Sequence, residues 1–427
     1  MVSINAIKCF LCGIFFLLTN GTVTTLSAQV YESGRTTPKI VSRSISAETP
    51  HFYKSIYVTA KSFQLRSGDF VSIDNGKTWS KKLIKPDFSV GLPNGYRRDP
   101  VSSVLDNKTG RIVTIFNALD VEDLDSTIDE PSIAQKTYYL RYRVSKDSGK
   151  TWQFDNPIIQ AGEFTFQHPF PEIFIGKNSI YLGDIGSIPV ISKKGKILVP
   201  AQTTPLGPDG KLWNPGGGFT YTDVVVLIGT WTNDDKITWK MSNRIKGDPH
   251  RSTRGMIEPT LSEMKDGSLL MVMRGSNEGK GISKDLLPSY KWYSVSNDGG
   301  ETWSNPQPFT FEDGKAFYSP SSMSTLFKHS SGRCFWVGNM NEENSKGNLP
   351  RWPLVFAEVN TKNLNLIRKS LLIADTHEEE DNSHGRLDIS HISLIEDRKT
   401  KEIILTYPRS YNAYQSREWV TTRIAVE

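Results

Sequence analysis

The chain has 427 residues, 37% of them hydrophobic and 11% aromatic, with 33 glycines, 23 prolines and a formal net charge of +5. That length and composition suit a turn-rich globular protein with a sizeable core. No dense run of Lys or Arg accompanies the small net charge, so no nucleic-acid partner is expected, while a mild positive bias would attract an anionic sugar.

In chain order, the first segment reads as a secretory leader. Lys8 precedes an apolar stretch from Cys9 to Leu18, and small residues ending at Ala28 offer a cleavage site. The apolar stretch is too short to span a bilayer. Residues 1–28 are therefore expected to be removed, which predicts a secreted or periplasmic protein with no membrane span. Residues 29–427 are read as one domain. Cys334 is then the lone cysteine, in the apolar run Cys334-Phe-Trp-Val-Gly338, where it reads as a small core residue.

Downstream the chain repeats. Three segments share one pattern: Ser72-Ile-Asp74-Asn-Gly76-Lys-Thr78-Trp79, Ser145-Lys-Asp147-Ser-Gly149-Lys-Thr151-Trp152 and Ser296-Asn-Asp298-Gly-Gly300-Glu-Thr302-Trp303. A fourth, Thr232-Asn-Asp234-Asp-Lys-Ile-Thr238-Trp239, is degenerate. In each the Asp is placed to accept backbone N–H groups of a turn, a Gly to take positive φ, and the Trp to cover the hairpin. Spacings of roughly 60 to 90 residues suit a four-stranded blade with loop insertions. These segments resemble the Asp boxes of sialidase-like (BNR-repeat) β-propellers. The resemblance implies an all-β fold of six blades, with seven compatible with the degenerate ends, and a structural role for the boxes on the outer rim.

A second repeat consists of a turn, an apolar strand and a polar residue. It ends at Asn117, Gln202, Arg274, Asn339 and Arg409. Upstream of four of these turns stand Arg98-Asp99-Pro100, Glu258-Pro259, Ser319-Pro320 and Asp388-Ile389, each before a short apolar strand. These are read as innermost strands whose polar mouths converge on the propeller axis, where a small ligand would bind. The loop Trp213 to Tyr221 is an aromatic-bearing insertion, fit either to pack on a sugar face or to serve only as a connection.

Sialidases hold a sugar carboxylate with three arginines, whose planar forks match it in bidentate fashion. The resemblance places the first at Arg98, in Tyr96-Arg97-Arg98-Asp99-Pro100, beside Asp99. It places the second at Arg274, in the pattern Glu258-Pro259…Asp266-Gly267…Arg274, and the third at Arg351, after an Asn-rich loop. It implies an acid/base Asp on the loop after the first arginine, where Asp123 and Asp125 both stand, and makes Glu258 the base toward a Tyr nucleophile. No Tyr occupies the matching place; Asp388 and Ile389 stand there, within the polar cluster His384, Arg386, Asp388 and His391. Tyr318, Tyr407, Tyr411 and Tyr414 are the nearby tyrosines.

The expected function is exo-acting removal of a terminal acidic sugar, sialic acid, from an acidic glycan, with no cofactor and no metal. Two alternatives follow from the missing Tyr and from the fold. One is a uronate-specific glycosidase or lyase using a His or Asp base. The other is a non-catalytic carbohydrate-binding propeller.

Overall fold

The computed structural model describes residues 30–32, 35–50, 56–58, 65–67, 70–81, 97–119, 133–279 and 287–427. The leader expected over 1–28 and the acidic loop carrying Asp123 and Asp125 lie outside these residues.

Among the described residues, six antiparallel sheets of four or five strands follow one another along the chain. Sheet 1 comprises Ile56–Val58, Leu65–Ser67, Phe70–Ser72 and Ser80–Lys81. Sheet 2 comprises Arg97–Asp106, Arg111–Ala118, Tyr139–Ser145 and Gln153–Pro157. Sheet 3 is built on Ile180–Tyr181, Ile197–Thr203, Asp223–Trp231 and Ile237–Met241. Sheet 4 has Ile257–Glu263, Leu269–Arg274, Lys291–Ser296 and Gln307–Pro308. Sheet 5 has Ser324–Lys328, Cys334–Asn339, Leu354–Asn360 and Asn365–Leu366. In sheet 6, Leu387–Ile389, Ile403–Tyr411 and Ser416–Ala425 are completed by Lys39–Ser46 from near the start of the chain. That pairing, Trp419 with Ser46 through Ala425 with Lys39, ties the two chain ends into one sheet.

The protein is an all-β propeller. First strands lie against one another from sheet to sheet: Ile257–Glu263 packs on Ser324–Lys328, and Ile56–Val58 on Arg97–Asp106. They are therefore the innermost strands, as their position in the sequence repeat suggested. The second strands read as continuous apolar runs because both faces are covered. Alternation along one strand serves two neighbours. Val199 and Ala201 face sheet 2, packing with Val113, Ile115 and Tyr142, while Leu198 faces sheet 4, packing with Leu269 and Met271. Cys334 is buried in one core cluster with Trp336 and Leu326, and burial pushes its thiol up to about 11.

Each Asp box closes the hairpin between the third and fourth strands, away from the axis. In the second box, Asp147 accepts from Ser145 Oγ (2.9 Å), the Thr151 N–H (2.9 Å), the Lys150 N–H (3.0 Å) and Thr151 Oγ1 (2.7 Å). Ser148 and Gly149 both take positive φ, 66° and 78°, as a primed turn requires. In the third, Trp303 Nε1 donates to the Gly300 carbonyl at 3.0 Å. The degenerate box loses the clasp: Thr238 Oγ1 turns to the Thr230 carbonyl (3.2 Å), and Asp234 binds Lys236 instead.

Burial opposes ionisation of Asp147 and Asp298, but the donors of Thr151 and Thr302 outweigh it and hold both carboxyls below the usual range, Asp298 at about 2. A carboxyl lowered in the folded state contributes stability above its unfolded pKa and loses it as pH falls through the folded one. Asp147→Ala is expected to cost about 1–3 kcal/mol near neutral pH. By calorimetry its Tm should lie a few degrees below the wild type, with the gap closing as pH is lowered toward 2; an equal gap at both ends would refute the assignment.

Candidate active site

The site begins at a slip in the ladder of sheet 4. Ile257 pairs with Arg274, and pairing resumes only at Thr260 with Val272. Pro259 has no N–H to give the ladder, and Glu258 takes φ 48°, so the strand bulges there. The Glu258 N–H donates to Gln202 Oε1 at 2.8 Å. Gly183 lies so close that a Cβ on it would sit 2.4 Å from Gln202 Oε1 and 2.9 Å from Glu258 Cα, which reserves that position for glycine.

Glu258 Oε1 pairs with Arg274 Nη1, and its other oxygen, Oε2, is buried with no hydrogen-bond partner among the described residues. Arg274 also donates from Nε to Ser321 Oγ (2.9 Å) and from Nη2 to Asn348 Oδ1 (3.1 Å). Three of its five N–H groups are thus engaged, leaving one on each terminal nitrogen. Opposite Arg274 in the ladder stands Lys291, wholly buried. Its Nζ donates to the carbonyls of Pro320 (3.1 Å) and Ser322 (2.5 Å), which bracket the Ser321 that orients Arg274. Burial and the neighbouring Arg274 push the Lys291 pKa well down.

Arg351 is 7% exposed. Its Nη1 donates to Tyr414 Oη at 2.8 Å, with Ser390 Oγ at 3.5 Å. Its Nε is buried without a partner, and among the described residues no carboxylate lies within ion-pair distance. The Arg351 carbonyl accepts the Ile389 N–H at 3.0 Å, an isolated bridge that ties its loop to the inner strand of sheet 6. His391 follows, with φ 59°; Nδ1 lies 2.8 Å from Ser390 Oγ and Nε2 lies 3.7 Å from Asp184 Oδ2. Enclosure by protein, then Arg351, lowers the His391 pKa to about 4. Enclosure, then the nearby Glu258, raises Asp184 to about 7. Burial and these neighbours therefore favour the neutral imidazole of His391 and the protonated carboxyl of Asp184.

The structure brings together Glu258, Arg274, Arg351 and His391 of the residues expected from sequence. It adds Asp184 and Lys291, and of the nearby tyrosines it brings in Tyr414. Asp388 is buried but bound to Arg386, Oδ1 to Nε at 3.2 Å and Oδ2 to Nη2 at 2.7 Å, so this pair satisfies itself beside the cluster. Arg98 pairs with Asn117 through the backbone, and the ladder slips after it, as it does after Ile257. Asp99-Pro100 thereby occupies the register position of Glu258-Pro259. Asp123 and Asp125 fall outside the described residues. Of the other tyrosines, Tyr407 is in the core, Tyr411 donates to Asp381 (2.9 Å) and Tyr318 stacks on Tyr290. His384 packs on Tyr411.

The strand-end polar residues Asn117, Gln202 and Asn339, equivalent from blade to blade, link one sheet to the next. Asn117 exchanges bonds with the Leu182 backbone (2.7 and 3.1 Å), Gln202 takes the Glu258 N–H, and Asn339 donates to the Ile389 carbonyl (2.9 Å). Each ties its sheet to the inner strand of a neighbour, since a buried amide must be paired. Arg409 is held by Asp375 and Asp381.

Residues 126–384 match the model of the BNR repeat-like domain. The chain belongs to this sialidase-like BNR-repeat family. It is 25% identical over 232 residues to a sialidase of Paraclostridium sordellii, covering 54% of this chain and 48% of the relative, so it spans about half the length of the curated relative it matches. Among solved structures, a protein of unknown function from Dyadobacter fermentans superposes with a TM-score of 0.55 at 14% identity, covering 91% of this chain and 99% of that one. The NanB sialidase from Streptococcus pneumoniae superposes with 0.52 at 14% identity, covering 90% and 70%. These likenesses are to the fold.

Within this family fold, Asp184 had a signal in the sequence: it follows a short apolar strand upstream of the Gly195 turn, as Glu258 stands upstream of Gly267. Lys291 had none, since a lysine opening an apolar strand reads as an exposed edge. Tyr414 arrives on the hairpin loop where Asn412, Ala413 and Tyr414 all take positive φ.

A buried cation without an acidic partner costs stability, whereas a buried paired one is costly to break. Arg351→Met is expected to raise stability by about 1–2 kcal/mol, and Arg409→Met to lower it by about 3–5 kcal/mol. Denaturant unfolding of the two variants checks this; a destabilised Arg351→Met would show that Arg351 is an ordinary structural arginine.

Proposed function

We propose that the protein is an exo-acting sialidase that hydrolyses a terminal, α-linked acidic sugar from glycans, exported by the leader expected at residues 1–28. The observation that carries this reading is Arg351: a buried guanidinium with no acidic partner among the described residues, close to an Arg274 whose fork keeps two N–H groups unengaged. Such a pair suits a substrate carboxylate, which would supply the missing negative charge. The sialidase name of the sequence relative, and the Glu258-to-Arg274 motif, support the acidic sugar being sialic acid.

In this reading Arg274 and Arg351 hold the carboxylate, and Lys291 keeps Arg274 in place. Asp184, protonated near neutral pH, donates a proton to the leaving oxygen. Glu258 Oε2, buried and without a hydrogen-bond partner, is the base, and Tyr414, held by Arg351, is the candidate nucleophile at the mouth. One observation favours a second reading. His391 is neutral down to about pH 4 and stands next to the arginines. A base there could remove the proton beside a uronate carboxylate and expel the glycosidic oxygen, as a lyase does.

An assay on a fluorogenic α-sialoside, with ultraviolet absorbance followed on uronate oligosaccharides, separates the readings. Sialic acid release is expected, and Arg351→Met and Arg274→Ala should each lower kcat/KM roughly a hundredfold or more. With Asp184 as acid, kcat/KM should fall as pH rises through about 7, and Asp184→Asn should abolish that limb. New ultraviolet absorbance, lost in acid as His391 protonates near pH 4, would replace the hydrolase with the lyase; silence in both channels would leave a binding module.

A further inference from the structure

The face of the propeller opposite the mouth is made by the turns that open the second strands. Glu258 and Arg274 stand at one end of their hairpin, and the turn carrying Lys265 lies at the other, about 20 Å along the strand. Four consecutive sheets place a lysine in this turn: Lys108, Lys193, Lys265 and Lys328, in sheets 2 to 5. Three of them reach to a neighbouring blade. Lys108 Nζ donates to the Lys193 carbonyl at 2.8 Å, Lys193 Nζ to the Lys265 carbonyl, and Lys328 Nζ to the Glu263 carbonyl at 2.7 Å. A carbonyl takes one of the three N–H groups of an ammonium and cancels none of its charge. Among the described residues, the lysines paired with a carboxylate are Lys146, Lys236, Lys240 and Lys401, and none of these four is among them.

Lys193, Lys265 and Lys328 line one cavity of about 640 Å³. The acids around it already have donors. Both oxygens of Glu263 accept the Lys193 N–H (3.1 and 2.9 Å), and Asp266 accepts the Ser268 N–H at 2.9 Å. Glu396 accepts the Ser330 N–H at 2.7 Å and pairs with Lys401. Arg333 also lines the cavity, but Glu358 binds it. Three ammonium groups from three blades thus share a space in which the lining carboxylate is that of Glu427. Among the described residues the lining holds no aromatic ring, and its one aliphatic side chain of any size is Val426.

We propose that this cavity is an anion site, distinct from the mouth, for a molecule that carries two or more phosphate groups. An exposed charge pair contributes little by itself, so useful affinity needs several pairs formed by one ligand. A phosphate monoester packs up to two charges and three acceptor oxygens into a compact group. Two or three such groups match ammonium groups that each keep at least two N–H donors. A sugar ring or an acyl chain would find no flat apolar face here, so the charged head alone is held. That head belongs either to a soluble oligophosphate or to a phosphorylated lipid. The site does not depend on the reaction at the mouth.

The test titrates sodium tripolyphosphate into the full chain by calorimetry, at an ionic strength of about 0.15 M so that diffuse attraction is screened. Lys265→Gln/Lys328→Gln should bind roughly tenfold more weakly or worse. Lys77→Gln/Lys150→Gln removes the same charge from the exposed rim and should leave the affinity unchanged, as should Arg274→Ala at the mouth. A measurement on the unaltered protein accompanies the variants: tripolyphosphate should protect Lys193, Lys265 and Lys328 from an amine-acylating reagent, read by mass spectrometry, and leave Lys77 and Lys150 open to it. Phosphatidylcholine vesicles with and without a bisphosphorylated lipid separate the two sources. Co-sedimentation with the phosphorylated vesicles assigns a lipid headgroup, and tripolyphosphate binding without it assigns a soluble oligophosphate. No binding of tripolyphosphate, an equal loss in the rim variant, or tighter binding of sucrose octasulfate overturns the proposal. So does binding lost in Arg274→Ala and kept in Lys265→Gln/Lys328→Gln, which would return the anion to the mouth.

Discussion

The tie between sheets is the constraint on which the site depends. A propeller blade presents its inner strand to the axis with few neighbours of its own to satisfy it, and the last polar side chain of the preceding blade's second strand supplies the partner. Gln202 does this for the Glu258 N–H at 2.8 Å, and Asn117 for Leu182 at 2.7 Å. Because that N–H is taken by a neighbouring sheet, it is unavailable to its own ladder, and the ladder slips between Ile257 and Thr260. The slip re-aims Glu258 toward Arg274. The same bond that joins two blades thus sets the position of a carboxylate, and replacing Gln202 would disturb both.

Charge at the mouth is arranged at a cost. Arg274, Lys291 and Arg351 are buried within reach of one another, and among the described residues Glu258 is the carboxylate paired with one of them, through Oε1 alone. Arg333 and Arg409 are buried with acidic partners instead: Arg333 is bound to Glu358 at 2.6 Å, and Arg409 lies between Asp375 and Asp381. Proteins keep an uncompensated buried charge where a ligand completes it, since relieving it would otherwise gain stability at no loss. Lys291 sharpens the point. It fixes the Pro320–Ser322 turn by two carbonyls and so limits where the Arg274 fork can point.

How much was legible in the sequence follows from how local each feature is. The Asp boxes were readable because the bonds of the Asp clasp fall within eight consecutive residues; Ser145, Asp147, Gly149 and Thr151 close on one another. Glu258 and Arg274 were readable because one hairpin holds both. Arg351 was located by its place after the Asn-rich loop. Asp184 and His391 meet across 207 positions of sequence at 3.7 Å, and no local pattern encodes a meeting of inner strands from different blades. The offset repeat ending in Asn117, Gln202 and Asn339 was correctly seen as equivalent from blade to blade, but equivalence said nothing of direction. Amides bonded to a neighbour's inner strand and side chains open to a mouth give the same spacing. Asp388 illustrates the limit: its register suited a catalytic role, and Arg386, two residues before it, takes both of its oxygens.

The aspartates of this chain divide by what surrounds them. Asp147 accepts from a hydroxyl pair and two backbone amides, and its carboxyl is held low. Asp184 accepts one backbone N–H, from Ile185 at 2.6 Å, faces Glu258, and is raised to about 7. Identical side chains thus serve opposite purposes. A carboxylate saturated with donors has no proton to exchange at neutral pH and no lone pair to offer a substrate, so it can only hold a turn. One that is short of donors and near another acid keeps a proton and remains reactive. The same division separates Arg409 from Arg351, and it places the chemistry at the end of the strands where hydrogen-bonding capacity is left unspent.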